Sequence, residues 1–236
     1  TNALYSNFLG DNSGLQSTNA SQSNFLGWEA GRESPYAANS NFLGYRAGYS
    51  ASTANDSNFL GYYAGYAAYS ASWSNFLGIE AGSGSYSARQ SNFLGYQAGM
   101  LAKNALSSNF IGAFSGISAT NAISSNFIGT AAGNAAIGAA YSNFIGHSAG
   151  QAMFNASYSN FLGYRAGYNP VGTLGSNNII IGTNITLPEN YSNGINIGGI
   201  IFGSGSYSNT STSTSGSVGN GRIGINQPLP LYNLDV

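Results

Sequence analysis

Apolar and polar positions follow a fixed phrase along most of this chain, Ser-Asn-Phe-Leu/Ile-Gly. It begins at Ser6 and returns at Ser23, Ser40, Ser57, Ser74, Ser91, Ser108, Ser125, Ser142 and Ser159, each time after 17 residues. Counting columns from the Ser, columns one to three are Ser, Asn and Phe in all ten copies, column four is Leu or Ile, and column five is Gly. Column eight is Ala or Ser and column nine is Gly. Column 15 is Ala in nine copies, Ala20 through Ala156, and Thr173 in the last. The remaining columns vary freely and are expected to face solvent.

A constant period is the mark of a repeat architecture. Two Gly four positions apart, the second preceded by a small residue, suit tight corners, because Gly reaches positive φ without steric cost. Two obligatory Gly and many Ser and Asn per unit oppose a helix, and Gly does not recur every third residue as collagen demands. The unit therefore predicts an all-β fold, a parallel β-solenoid (β-roll) of 17-residue coils, with equivalent residues stacked about 4.8 Å apart. Column two becomes a ladder of amides: Asn7, Asn24, Asn41, Asn58, Asn75, Asn92, Asn109, Asn126, Asn143 and Asn160. Column three becomes a stack of rings: Phe8, Phe25, Phe42, Phe59, Phe76, Phe93, Phe110, Phe127, Phe144 and Phe161.

Adjacent residues on a strand point to opposite faces. Phe and Leu/Ile are adjacent in every copy, so one fills the coil and the other points out of it. A continuous outward apolar stripe needs cover. It predicts packing against identical chains, most simply as a closed homotrimer, in which the Phe residues serve as a core or oligomer stripe. The alternative is a flattened coil with both residues inside.

Composition narrows the function. Of 236 residues only 13 are Lys, Arg, Asp or Glu, and the net charge is −1, so nothing marks a nucleic-acid partner. There is no Cys, which removes disulfide and thiolate chemistry. No apolar run is long enough to span a bilayer, so no membrane insertion is expected in this segment. No leader is visible, and Thr1 in place of Met predicts a processed or partial product. His147 is the single histidine. Glu29 and Glu80 share column seven three coils apart, too far for a carboxylate pair of a retaining glycosidase. No catalytic residue, metal ligand or cofactor site emerges. Glu29 and Arg46, on neighbouring coils, are placed to pair as exposed groups of small energetic weight. Trp28, Tyr45, Tyr62, Tyr96 and Tyr164 in column six are candidates for surface binding of a glycan or protein receptor; they can equally stack along the rod.

Four regions follow: 1–175, ten solenoid coils; 176–202, degenerate coils ending in Ile-Gly that cap the stack; 203–216, a Gly/Ser/Thr-rich linker; and 217–236, a C-terminal motif whose Pro228 and Pro230 favour an extended path. The unit Ser-Asn-Phe-Leu-Gly-x-x-Ala-Gly resembles the head repeats of trimeric autotransporter adhesins, built on Asn-Ser-Val-Ala-Ile-Gly-x-x-Ser/Ala. That resemblance implies a left-handed parallel β-roll with three chains to a head. The family's coil is shorter, and Phe here replaces a small residue. The stretch Val218-Gly219-Asn220-Gly221-Arg222-Ile223-Gly224-Ile225-Asn226-Gln227-Pro228, followed by Leu231 to Val236, is similar to a motif of phage tail-fibre-like and bacterial surface proteins. It often precedes an endosialidase-type intramolecular chaperone, which promotes trimerisation and is then cleaved off. The two resemblances imply an extracellular structural and adhesive fibre segment on a cell surface or a virion tail, not an enzyme. An ice-binding solenoid, or less readily a polysaccharide-acting β-helix, is the alternative.

Overall fold

The computed structural model describes residues 3–169, 173–204, 221–231 and 234–235. They form an all-β parallel solenoid of about eleven coils, and no helix occurs among them. Each phrase supplies a three-residue strand, from β1 (Asn7–Leu9) and β2 (Asn24–Leu26) to β10 (Asn160–Leu162). Each strand pairs in parallel with the next, Asn on Asn, Phe on Phe and Leu or Ile on its counterpart. The sheet is continued by β11 (Ile179–Ile181), β12 (Ile195–Ile197), β13 (Ile201–Ser204), β14 (Arg222–Ile225) and β15 (Leu234–Asp235), giving 15 strands in chain order.

Alternation along each strand decides what fills the coil. Ser and Phe point inward, Asn and Leu/Ile outward. Phe25 through Phe144 are fully buried, their rings stacked with centroids 4.7–4.8 Å apart and planes nearly parallel. The Leu/Ile row lies on the outer surface, from Leu9 to Ile197. Of the two arrangements the sequence left open, the coil therefore has one apolar residue on each side of its strand, not both inside.

The inward Ser is buried without being left unsatisfied. Ser23 Oγ donates to the Ala37 carbonyl at 2.6 Å and accepts the Ser40 N–H at 3.1 Å. The pattern recurs up to Ser142, whose hydroxyl donates to Ala156 and accepts from Ser159. A buried hydroxyl is tolerated when it is hydrogen-bonded, and here it also ties the strand of one coil to the loop that closes it. Column 15 is Ala because its small side chain lies in the core beside this bond.

The two Gly columns have different causes. A Cβ on Gly99 would lie 2.2 Å from the Phe93 ring of its own coil, whereas one on Gly78 would lie 2.5 Å from the Gly95 carbonyl of the next coil. Column nine makes room for the ring; column five sets how closely coils approach.

Three expectations are corrected. Column 12 does not vary freely: Ser17, Ser34, Ala51, Ala68, Ser85, Ala102, Ala119, Ala136 and Met153 are all buried, so small residues are required there to fit a narrow core. Column seven is not uniformly solvent-facing, since Glu29 is only 4% exposed. Thr173 does not take the place of Ala at column 15. The tenth coil has 19 residues, with Asn160 opposite Ile179, and Thr173 bridges Phe154 of column 13.

Beyond the tenth copy the inward column tapers. Ile180 follows Phe161, and Asn196 then follows Ile180. Asn178 takes the place of the buried Ser; its amide donates to the Gly175 and Tyr191 carbonyls and accepts the Gly194 N–H. Asn196 donates to the Thr186 carbonyl and accepts the Gly199 N–H. The sheet then reverses, with β13 antiparallel to β12 and β14 antiparallel to β13. Gly203 and Ser204, assigned to the linker on composition, pair within β13. The rest of the linker and Val218 to Asn220 lie outside the described residues.

Candidate interaction surfaces

The outward face of the sheet carries two parallel rows. In the first, Asn7 Nδ2 donates to Asn24 Oδ1 at 2.8 Å, and the same bond repeats coil by coil to Asn143 and Asn160 at 2.7 Å. Every amide thus has the same orientation, with one N–H used on the next coil and one left over. The second row is Leu and Ile, about 7 Å away by the rise of a strand; Leu77, Ile111, Ile128 and Ile145 are each between 36 and 38% exposed. Together they form an open trough along the first seven coils, lined by such residues as Asn41, Leu43, Asn75 and Leu77.

The candidate aromatics of column six fall into two groups. Trp28, Tyr45 and Tyr62 stack in sequence, with centroids 4.8 and 5.0 Å apart. Their faces are turned to one another and their edges to solvent. Ile79 of the next coil interrupts the column. Tyr96 meets Phe114 edge-on at 5.1 Å, and Tyr164 lies beside His147 at 5.3 Å. The structure does not bring the five candidates to one place. Two further stacked pairs, Tyr69–Tyr86 at 4.8 Å and Tyr141–Tyr158 at 5.0 Å, lie in columns 13 and 17. No constant column pointed to them, and only the coil-to-coil register reveals them.

Charge is concentrated on coils two to four. Arg46 Nε donates to Glu29 Oε2 at 2.7 Å, and one Arg46 terminal nitrogen donates to the Tyr63 hydroxyl at 3.1 Å. Its guanidinium lies 4.8 Å from the Trp28 ring centroid and 5.4 Å from that of Tyr49. Arg32 pairs with the other Glu29 oxygen. The Glu29 hydrogen bond pushes both guanidinium pKa values up from their ordinary range. Desolvation, followed by the charge of Glu33, raises the Tyr49 phenol. Desolvation and its neighbour Tyr63 raise the Tyr62 phenol. The expected Glu29–Arg46 pair is thus present, but it belongs to a wider network of ion pairs, hydrogen bonds and ring contacts around a buried carboxylate.

His147 shares a hydrogen bond of 3.0 Å between its Nδ1 and Ser148 Oγ. Among the described residues no group of three or more His, Cys, Asp or Glu could hold a metal ion. Those residues contain no helix long and apolar enough to cross a membrane. Compared with protein-family models and with curated proteins, the chain matches none.

Proposed function

We propose that the chain is a rod-forming segment of an extracellular fibre, on a cell surface or a phage tail, in which three identical chains cover one another's Asn–Leu/Ile faces. The observation that carries this reading is the unbroken Leu/Ile row on the outer side of a single sheet, which runs for roughly 50 Å at the coil spacing. Apolar surface in so long a line favours association, because removing it from water contributes about 25 cal/mol per Å². A cyclic arrangement of parallel rods closes on itself and leaves all C-terminal ends on one side. The resemblance of the repeat to adhesin heads supports three as the number of chains.

The role is mechanical and adhesive rather than catalytic. Stacked coils stiffen the rod, and the aromatic rows outside the trimer seam present contact surface to a glycan or protein receptor. Size-exclusion chromatography with light scattering tests the assembly: the expected mass is three times the 24.3 kDa of one chain, and a stable monomer overturns it. The even spacing of the Asn ladder favours one other reading, an ice-binding face. A monomer that shows thermal hysteresis would establish that reading in place of the fibre.

A further inference from the structure

The sequence Ser-Asn-Phe-Leu-Gly-Tyr-Arg-Ala-Gly-Tyr occurs twice, at Ser40 to Tyr49 and at Ser159 to Tyr168. The two copies fold alike, yet their arginines meet different neighbours one coil below. Under Arg46 column seven is Glu29, and the guanidinium is neutralised by it. Under Arg165 column seven is Ser148, and the next coil brings the N–H of Asn184 to the Tyr164 carbonyl. Among the described residues Arg165 has no ion pair. It is exposed, with its guanidinium 5.0 Å from the Tyr168 ring centroid and 5.7 Å from that of Tyr164.

The tyrosine beside it also differs from its counterpart. Tyr45 is sandwiched between Trp28 and Tyr62. Tyr164 has His147 on one side, and among the described residues no ring stacks on the other. It is 43% exposed. The coil register sets Thr183, a short side chain, opposite Tyr164 on that side, so a ring with no aromatic partner above it stands next to an unneutralised guanidinium.

We propose that Arg165, Tyr164 and Tyr168 form a binding site for an acidic sugar. The planar guanidinium matches a carboxylate with two parallel N–H donors. The exposed outer part of the Tyr164 ring, beyond the short Thr183 side chain, takes the apolar C–H face of the pyranose, and the phenol hydroxyls reach its alcohol groups. Coils two to four, despite their richer aromatic surface, do not offer the same site, because Glu29 already occupies the cation. The inference rests on the adhesive part of the proposed function and gives it a ligand class. It stands apart from the trimer, since light scattering does not report on Arg165 and sugar binding does not report on chain number.

Titration calorimetry on the full chain tests it with a short glucuronate-containing oligosaccharide. A neutral glucose oligosaccharide and a glutamate-rich peptide serve as comparison arms. The acidic sugar is expected to bind best and to weaken as salt is raised. Arg165→Gln is expected to reduce affinity roughly tenfold or more. Ser148→Glu recreates the Glu29 arrangement beneath Arg165 and is expected to weaken binding similarly, with the coil intact because column seven already holds a glutamate at coil two. Arg46→Gln leaves binding unchanged. Absence of binding, equal binding of the neutral sugar or the peptide, or full affinity in Arg165→Gln each overturns the proposal.

Discussion

A single methyl group separates the two kinds of glycine-like position in this coil. At column nine the backbone is left-handed and the Phe ring leaves no space: at Gly99 φ is 64°, and a Cβ would fall 2.2–2.5 Å from ring carbons of Phe93. That ring cannot yield, because it is held 4.8 Å from Phe76 and Phe110. Column eleven is also left-handed, with φ 57° at Ala135, but it opens to solvent. Gly99→Ala is therefore expected to cost about 2–4 kcal/mol, from left-handed strain plus overpacking. Ala135→Gly should change stability by less than about 1 kcal/mol, since relief of strain offsets the greater freedom of the unfolded chain. Thermal unfolding of the two variants checks this, and an unperturbed Gly99→Ala would contradict the ring contact. The sequence announces Gly at columns five and nine but not the left-handed backbone of columns seven, eleven and 17. There Glu29, Arg46, Ser118 and Trp73 adopt φ between 53° and 58°. No residue preference marks those positions, because the stacked coils on either side impose the turn whatever the side chain.

At the scale of the coil, nearest-neighbour stacking predicts what can be removed or added. Each coil contacts mainly the ones before and after it, so stability is close to a sum of coil and interface contributions. Excision of residues 91–107 joins Gln90 to Ser108 and brings Asn75 opposite Asn109, like onto like. The shortened rod is expected to keep its circular dichroism and to lose about 4.8 Å of length by small-angle scattering. Insertions should be tolerated in one corner only. The tenth coil carries two extra residues between Tyr168 and Thr173, yet β10 and β11 stay in register. Two residues added after Ser118, the same corner, should leave the fold intact. One residue added after Asn109 reverses which side chains face the core and should unfold the surrounding coils; equal tolerance at both places would sink this account. Period, strand position and the inward ring stack were legible because the same columns return in every copy. Column 12 was not, since its need is for small volume and Ser, Ala and Met satisfy it without a constant letter. The network of coils two to four was legible only in part: the column-six rings and the Glu29–Arg46 pair follow from the 17-residue register, whereas the burial of Glu29 and the contacts of Arg46 with Tyr49 and Tyr63 join different variable columns and carry no sequence mark. The reversal at β13 escaped for a different reason: Ile-Gly persists to Gly198 while the direction of the chain changes beyond it.

For the whole molecule the two apolar columns make separable predictions. Phe59, Phe76 and Phe93 lie wholly inside, whereas Leu60, Leu94 and Ile128 share the outer face with the Asn ladder. Changing the three Phe residues to Ser removes packing worth about 3–5 kcal/mol at each site, more than a rod of this size can lose. It should abolish the solenoid itself. Changing Leu60, Leu94 and Ile128 to Ser leaves the ring stack, the hydroxyl bonds and the amide ladder in place. If three chains cover this face, the outer variant should retain the β signal of the parent in circular dichroism yet elute and scatter as a monomer. The outer residues are only part-exposed in one chain, so each has roughly 1 kcal/mol of further burial to gain from a neighbour. Spread over eleven coils and three seams, that small gain per residue is enough to hold an assembly, and three substitutions in one chain become nine in the fibre. A triple outer variant that still scatters as a trimer would move the seam elsewhere, to the aromatic rows. A parent chain that is monomeric from the start would leave the Asn–Leu/Ile face as a surface built for contact with something other than itself.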